Sequence, residues 1–434
     1  MLIGSLVAGC TGAASDPTRA AGRADFPTTT VSSSTAPSPS PSPADPPDAA
    51  KVKSRLAKVS RNGIRASGVV VLDHDGTLIT GRSANRALAP ASTMKVLTTL
   101  AAVDVLGADH RFTTSVVASG KAKIVLVGGG DPLLTDKQSR SAAKPASLEA
   151  LAKATAASLT ASGVKRVTLG YDASEFSGPD FSPDWLTKWR SWVSRVSSLL
   201  VDGGRFNQWQ SDPKPALTAA KAFAARLKKA GIKVTSPTPA KAPAGAREVA
   251  SVTSAPLSEI VAHTLRLSDN LAADVLARHV AVTTGGKGSF EGATKALKAW
   301  LVGHELWAQG MSLKDGSGLS PKARVTPEVL ARAIVTSLNT ESLRAVAAGL
   351  PVAGKNGTLK DRFDDKSERV ARGNVHAKTG TLVGVATLAG YLTTKDGAQL
   401  VFAAMANGTS GQTSAYNWLD RSAAALVGCG CSSG

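Results

Sequence analysis

The spacing of apolar residues changes several times along this chain, and each change predicts an element. A helical pattern runs from about residue 50 to Arg61, then gives way to an apolar strand, Ala66 to Leu72. The polar turn Asp73 to Gly76 follows, so that strand is expected to form a hairpin with Thr77 to Gly81. Near the other end, Leu382 to Leu392 and Ala398 to Met405 read as two strands joined by Thr393-Thr394-Lys395-Asp396-Gly397, with a helix over Ser414 to Val427. Strands from both chain ends can therefore share one antiparallel sheet. Val96, Leu97, Leu100 and Val103 recur at helical spacing, as do residues within Leu257 to Leu267 and again from Leu271. Between 113 and 246 the texture differs: a Gly128-Gly129-Gly130-Asp131-Pro132 turn, tryptophans at 185, 189, 192 and 209, and a Pro/Ala-rich stretch from Ser236 to Gly245. This segment is read as an inserted domain, and 50–112 with 247–434 as the main domain.

The first fifty residues carry a different pattern. Met1 to Gly9 is short, mostly apolar and free of charged side chains, and runs through Leu6-Val7-Ala8-Gly9 into Cys10. That string is similar to the cleavage motif of bacterial lipoproteins, which makes 1–10 a lipoprotein-like signal and Cys10 a lipidation candidate. A plain secretory signal is the alternative, since the segment lacks a basic start and is short. Residues 11–49 include Thr28-Thr29-Thr30, Ser32-Ser33-Ser34 and the alternating run Pro37 to Pro43, a composition that buries nothing and reads as a disordered tether.

Composition narrows the function classes only modestly. The 434 residues are 43% hydrophobic and 19% charged, a globular balance. An excess of 51 Lys and Arg over 32 Asp and Glu gives a formal charge of +19. No basic run is interleaved with aromatics, and there is no zinc-finger spacing or RNA-binding signature, so nucleic acid is not the expected partner. An anionic wall or membrane surface suits the charge, as does a merely solvated basic exterior. The three cysteines, Cys10, Cys429 and Cys431, are too few for a disulfide framework or a cysteine-rich metal site, and neither a metal nor another cofactor is expected. Cys429 and Cys431 can be a local disulfide or two free thiols.

Candidate chemistry comes from three short strings. Ser92-Thr93-Met94-Lys95 has the form S-x-x-K, which recurs at Ser141, Ser162 and Ser211. The setting selects Ser92: Pro90-Ala91 precedes it and an apolar helical pattern follows, so Ser92 opens a buried helix. Backbone N–H groups and the helix dipole there favour developing negative charge. Lys95, one turn on, reaches the Ser92 hydroxyl, and a lysine enclosed by apolar groups and a second cation loses proton affinity enough to act as a base. Ser268-Asp269-Asn270 stands at a join between two helical patterns, where a serine hydroxyl can relay a proton and an asparagine amide can hold a peptide carbonyl. Lys378-Thr379-Gly380-Thr381 occurs once, directly before the strand expected near Leu382. Its glycine lets a substrate backbone lie close, and its lysine and two threonines offer a cation and hydroxyls to a carboxylate.

In this order the strings are the signature of penicillin-interacting serine acyl-transfer enzymes. Ser92 and Ser268 are 176 residues apart, far more than in class A β-lactamases. The chain resembles the class C low-molecular-mass penicillin-binding proteins, the D-alanyl-D-alanine carboxypeptidase/endopeptidase family, which carries a large insert between its first two motifs. Supporting strings are Pro90 to Lys95, Gly128 to Pro132, Asp172-Ala173-Ser174-Glu175-Phe176-Ser177-Gly178-Pro179, Asp315-Gly316-Ser317-Gly318-Leu319-Ser320 and Ala377 to Leu382. The resemblance implies an α+β fold: a transpeptidase-like domain, with an antiparallel sheet flanked by helices and an all-helical lobe, and the inserted domain. It also implies cleavage of the terminal D-Ala-D-Ala bond of peptidoglycan stem peptides, and of D-Ala cross-links, with β-lactams as covalent inhibitors. By the same resemblance Ser92 is the nucleophile, Lys95 the base, and the N–H groups of Ser92 and Thr381 the oxyanion hole. Ser268 and Lys378 relay the proton, Asn270 orients the peptide, and Lys378, Thr379 and Thr381 hold the carboxylate beside Gly380. Asp172 and Phe176 are implied at the amino end of a diaminopimelate side chain.

Two rivals stand beside this reading. A class A-like β-lactamase needs a glutamate after S-D-N to activate the deacylating water, and only Glu305 sits at a comparable distance, in what reads as a helix end. A non-catalytic wall-binding or β-lactam-sensing protein would not need every motif residue intact. A zinc protease is excluded because His304-Glu305 lacks the second histidine of H-E-x-x-H, and Gly128-Gly129-Gly130 lacks the Lys-Ser/Thr of a phosphate loop.

Overall fold

A computed structural model describes residues 48–138, 145–207 and 210–430. The lipoprotein-like signal with Cys10, nearly all of the tether, the Ser141 motif and Cys431 lie outside them. Cys429 is buried and disulfide-bonded. Among the described residues no helix is long and apolar enough to cross a membrane.

Along the chain the helices are α1 (Ala49–Ala57), α2 (Met94–Leu106), α3 (Leu148–Ala161), α4 (Pro215–Lys229), α5 (Leu257–Arg266), α6 (Asn270–Thr283), α7 (Phe290–Gly303), α8 (Pro327–Asn339), α9 (Arg344–Ala348) and α10 (Gln412–Val427). The strands are β1 (Ile64–Asp73), β2 (Leu78–Arg82), β3 (Thr113–Gly120), β4 (Lys123–Val127), β5 (Arg166–Asp172), β6 (Arg205–Asn207), β7 (Gln210–Ser211), β8 (Lys233–Val234), β9 (Thr238–Pro239), β10 (Glu248–Thr253), β11 (Val375–Leu382), β12 (Val385–Thr393) and β13 (Gln399–Thr409).

The main sheet is antiparallel, in the order β11-β12-β13-β1-β2, so strands from the two chain ends do share it. Its apolar runs are unbroken because both faces are covered. Val70, Leu72, Val401, Ala403 and Met405 face one core with α2, α5 and α8, while Val69, Val71, Leu400, Phe402 and Ala404 face another with α1 and α10. Alternation along each strand sends successive side chains to opposite cores. α2 is buried from Met94 to Val103, which explains why its pattern is apolar nearly all round. α1 ends at Ala57 rather than Arg61. Asp48 caps its start, accepting from Ala50 and Lys51, and Gly63, at φ 78°, turns the chain into β1.

A second sheet, β10-β3-β4-β5-β8 with β9 also on β5, has its own core of Val116, Leu126, Leu148, Leu169 and Phe223 packed with α3 and α4. It includes β10, so it reaches seven residues beyond 246. The Pro/Ala-rich stretch supplies β9, whose residues are exposed. The molecule is thus α+β, with both antiparallel and mixed pairing.

One boundary differs in a way that matters. Lys378 to Thr381 do not precede a strand but lie inside one, β11, and Leu382 to Leu392 is not continuous. The turn Val383-Gly384 breaks it, and Gly384 adopts φ 70°, a region costly for other residues.

Candidate active site

Ala91 turns the chain sharply at φ 47°, and Ser92 follows in a single 3-10 turn, Ala91–Thr93, that leads into α2. This turn is pinned to the main sheet. Thr93 and Thr387 both donate to the Pro90 carbonyl, at 2.7 and 2.8 Å. Gly380 pairs across the strands with Thr387, and a Cβ at 380 would meet Thr387 Oγ1 at 2.1 Å and the Ser92 nitrogen at 2.9 Å. Glycine is therefore required for the edge strand β11 to lie against the serine.

Ser268 also has a left-handed backbone, φ 57°. Asp269 then caps α6, accepting from Ala272 N at 3.1 Å while its other oxygen lies 3.1 Å from His263 Nε2. Burial pushes the Asp269 carboxyl up, but the His263 contact and the Ala272 N–H outweigh it and leave it below the usual range. Capping places Asn270 at the first helical position. Strained backbone on two motif serines or their neighbours costs about 1–3 kcal/mol per residue and is typical of functional sites.

These elements converge on Lys95, which is fully buried. Its Nζ donates to Ser92 Oγ (2.9 Å), Asn270 Oδ1 (2.7 Å) and the Ser317 carbonyl (2.8 Å), which uses all three ammonium hydrogens. Lys378, equally buried, donates to Ser268 Oγ (3.0 Å) and the Thr379 carbonyl (2.8 Å). Burial pulls Lys95 down to about 8, against the raising effect of Asp274, Asp315 and Asp269. Burial, reinforced by Lys95, holds Lys378 well below the usual lysine range. The second cation foreseen beside Lys95 thus acts on Lys378, while acids surround Lys95.

Sequence reasoning did not assign roles to those acids. Asp274 stands on α6 one turn after Asn270 and accepts from Gly316 N at 2.7 Å. Asp315 accepts from Gly318 N (2.6 Å), Ser320 N (2.8 Å) and Trp185 Nε1 (2.7 Å). Together they fix the loop that offers Ser317 O to Lys95. Burial, then mutual repulsion with Asp315, pushes Asp274 up to about 8, and burial raises Asp315 too. Asp274 carried a signal, the i+4 spacing from Asn270. Asp315 carried one only as part of its glycine-rich string.

A cavity of about 340 Å³ opens over the serine, lined by Ser92, Ser268, Thr358, Arg362, Thr379, Thr381 and Tyr416. Thr358, Arg362 and Tyr416 had no sequence signal. A larger cavity of about 770 Å³ beside α7 contains no motif residue. Asp172 and Phe176 do not line the serine's cavity. Asp172 accepts from Ser174 N and Ala242 N, both at 2.8 Å, and Phe176 is buried against His279 and beneath Arg278. Glu305 is exposed in the turn after α7, at φ 58°, so it is not placed to activate water beside Ser92. Among the described residues no group of His, Cys, Asp or Glu could hold a metal ion. Gly128 to Gly130 follow β4 as irregular backbone, the turn coming just after them at Pro132-Leu133, and the Gly130 carbonyl lies 3.0 Å from His279 Nε2.

The chain is similar to several known proteins. The family model of the D-Ala-D-Ala carboxypeptidase 3 (S13) family matches residues 49–214 and 205–425. The chain belongs to this family. Within it, the chain is 33% identical over 407 residues to carboxypeptidase Rv3627c of Mycobacterium tuberculosis, covering 89% of this chain and 85% of the relative. It is 36% identical over 364 residues to carboxypeptidase DacB of Mycolicibacterium smegmatis, covering 79% and 76%. The crystal structure of penicillin binding protein 4 (dacB) from Haemophilus influenzae superposes with a TM-score of 0.71 at 22% identity, covering 85% of this chain and 97% of that one. That likeness establishes the S13 fold, a transpeptidase-like α+β domain with a second domain.

Proposed function

We propose that this chain is a serine D-alanyl-D-alanine carboxypeptidase that removes the terminal D-alanine of peptidoglycan stem peptides through an acyl-enzyme on Ser92. The observation that carries this is the fully buried Lys95 amine 2.9 Å from Ser92 Oγ, with its proton affinity reduced to about 8. Burial thus makes the neutral amine, which can accept the hydroxyl proton, far more accessible near neutral pH than it is in an ordinary lysine.

Ser92 Oγ attacks the carbonyl carbon of the penultimate D-Ala as its proton passes to Lys95, giving a tetrahedral oxyanion in reach of the Ser92 and Thr381 N–H groups. The C–N bond then breaks. Lys378, through the Ser268 hydroxyl 3.0 Å away, delivers the proton that the departing amine needs. Asn270 keeps Lys95 in line and orients the peptide. Water attacks the ester, its proton returns through the same amines, and Ser92 is released. A β-lactam follows the same first step, but its amine stays tethered, so the adduct persists. Asp172 and Phe176 act at one remove in this reading, by shaping the region that faces the side chain of the third stem residue.

The S13 membership, the names of the curated relatives and the intact motif triplet support the enzyme over a non-catalytic sensor. The exposed Glu305 disfavours the lactamase. The protein acts outside the cytoplasmic membrane in this reading, held by a lipid on Cys10 and the tether 11–49, with the second sheet forming the inserted domain. Ser92→Ala is expected to lower D-Ala release from a D-Ala-D-Ala peptide by at least ~10³-fold and to abolish labelling by a fluorescent penicillin. Undiminished turnover would overturn the assignment; rapid hydrolysis of benzylpenicillin by the unmodified enzyme would favour the lactamase.

A further inference from the structure

The residues lining the serine's cavity carry one charge among them, the guanidinium of Arg362. The lysine of the third motif cannot present its charge there, because Lys378 is fully buried and its amine is directed to Ser268 Oγ and the Thr379 carbonyl. A carboxylate entering a partly dry cavity needs a cation or several donors to replace its water. We propose that Arg362 receives the terminal carboxylate of the substrate, completing a cradle with the hydroxyls of Thr379, Thr381 and Tyr416. This rests on the carboxypeptidase reading and deepens it, by making a free C-terminal carboxylate the feature the site selects.

The neighbouring residues hold Arg362 ready for that role. Phe363 follows it at φ 59° and is fully buried in the core beneath α10, which anchors the segment. Asp420 of α10 accepts from both Nε and Nη2 of Arg362, a two-point contact that fixes the plane of the guanidinium. Tyr416, one turn earlier on the same helix, lies under it, with the guanidinium carbon 4.9 Å from the ring centroid. Its hydroxyl is 2.9 Å from Thr381 Oγ1, and Thr379 Oγ1 is 2.8 Å from Thr358 Oγ1. Nη1 engages no described residue, so two N–H donors remain for a ligand. Asp420 is 8% and Arg362 16% exposed, so the pair is shielded from water on the side away from the cavity. Asp420 therefore orients Arg362 without occupying the edge that the cavity sees.

The test is the ratio of kcat/KM for a diacetyl-L-lysyl-D-Ala-D-Ala peptide to that for its C-terminal amide, measured in one preparation so that partial unfolding scales both rates. Wild type is expected to favour the acid by about 30-fold or more. Arg362→Gln should lose about 10- to 100-fold on the acid, mainly in KM, with little change on the amide, so the ratio collapses. Arg362→Lys, which keeps the charge but not the fork, should give an intermediate ratio, and Asp420→Asn should lower it in the same direction. A wild-type ratio near one, or a ratio unchanged in Arg362→Gln or, if that variant does not fold, in Arg362→Lys, would overturn the role of Arg362. Absence of both D-Ala release from the acid and D-alaninamide release from the amide by wild type would instead overturn the carboxypeptidase reading.

Discussion

The two halves of the interior are similarly dry and chemically opposite. Behind the second sheet, Val116, Ile124, Leu126, Leu148, Leu169 and Phe223 pack as a nearly all-hydrocarbon core. Around the starts of α2 and α6, the chain instead buries Lys95, Lys378, Asp274, Asp315 and Arg278. Each such ion costs several kcal/mol to remove from water unless its hydrogen bonds are replaced. Here they largely are: Lys95 has three acceptors, and Arg278 donates to the carbonyls of Ser177, Pro179 and Gly288. Burial of charge concentrated in one region, with the other left apolar, separates the part that tunes proton affinity from the part that supplies scaffold.

The largest break in that contrast is Lys95→Met. Replacing a buried ammonium by an alkyl chain of similar length removes a desolvated charge but also strips Asn270 Oδ1 and the Ser317 carbonyl of their donor beside Asp274 and Asp315, so the melting temperature is expected to fall. Release of D-Ala by the folded fraction should fall by about 10³-fold or more, since no other amine among the described residues contacts Ser92 Oγ. Undiminished D-Ala release by the folded fraction of the variant would show that the lysine serves packing alone. The converse substitution is Leu126→Ala, at a fully buried position of β4. It should destabilise by about 2–5 kcal/mol through lost burial and a residual cavity, with kcat/KM of the folded fraction preserved. Denaturant unfolding beside peptide hydrolysis separates the two.

How far the sequence reveals each region follows the same division. Strands β1, β12 and β13 are visible because both their faces are apolar, which leaves long unbroken runs. β11 is missed as a strand because Lys378, Thr379 and Thr381 serve the site rather than a core. β3, reading Thr-Thr-Ser-Val-Val-Ala-Ser-Gly, carries too little apolar alternation to be placed from its residues. In the site, Ser92 and Asn270 meet on the Lys95 amine and Ser268 meets the Lys378 amine, because short strings fix side chains on one helical turn or strand edge. Arg362 and Tyr416 are brought there only by the packing of α10 and of the segment ending at Phe363. No spacing between residues 54 positions apart could announce that.

A finer probe of the charged region is pH. Lys95 acts as base only when neutral, and its value of about 8 lies below that of an ordinary lysine. Acylation by a fluorescent penicillin should therefore rise with pH through a limb near 8, about tenfold per unit below it. The Asp274 carboxylate raises Lys95, so Asp274→Asn should move that limb to lower pH. Asparagine can still accept from Gly316 N, so the loop stays in place. A limb that moved upward would reverse the sign of the coupling.

The smallest effect is expected where charge is exposed. Glu328 and Arg332 form a surface pair one turn apart on α8, with Arg332 Nη2 2.8 Å from Glu328 Oε1. The geometry is as close as that of the buried contacts around Lys95, yet water and salt screen it, so Glu328→Gln should cost only about 0.3–0.5 kcal/mol and nothing measurable at high ionic strength. Glu328 also stands in the first turn of α8, where its charge favours the helix dipole. A double-mutant cycle of wild type, Glu328→Gln, Arg332→Met and the two changes together isolates the pair from that dipole contribution. If the pair proved worth several kcal/mol, distance rather than burial would govern charge in this molecule, and the contrast between its two interiors would lose its physical basis.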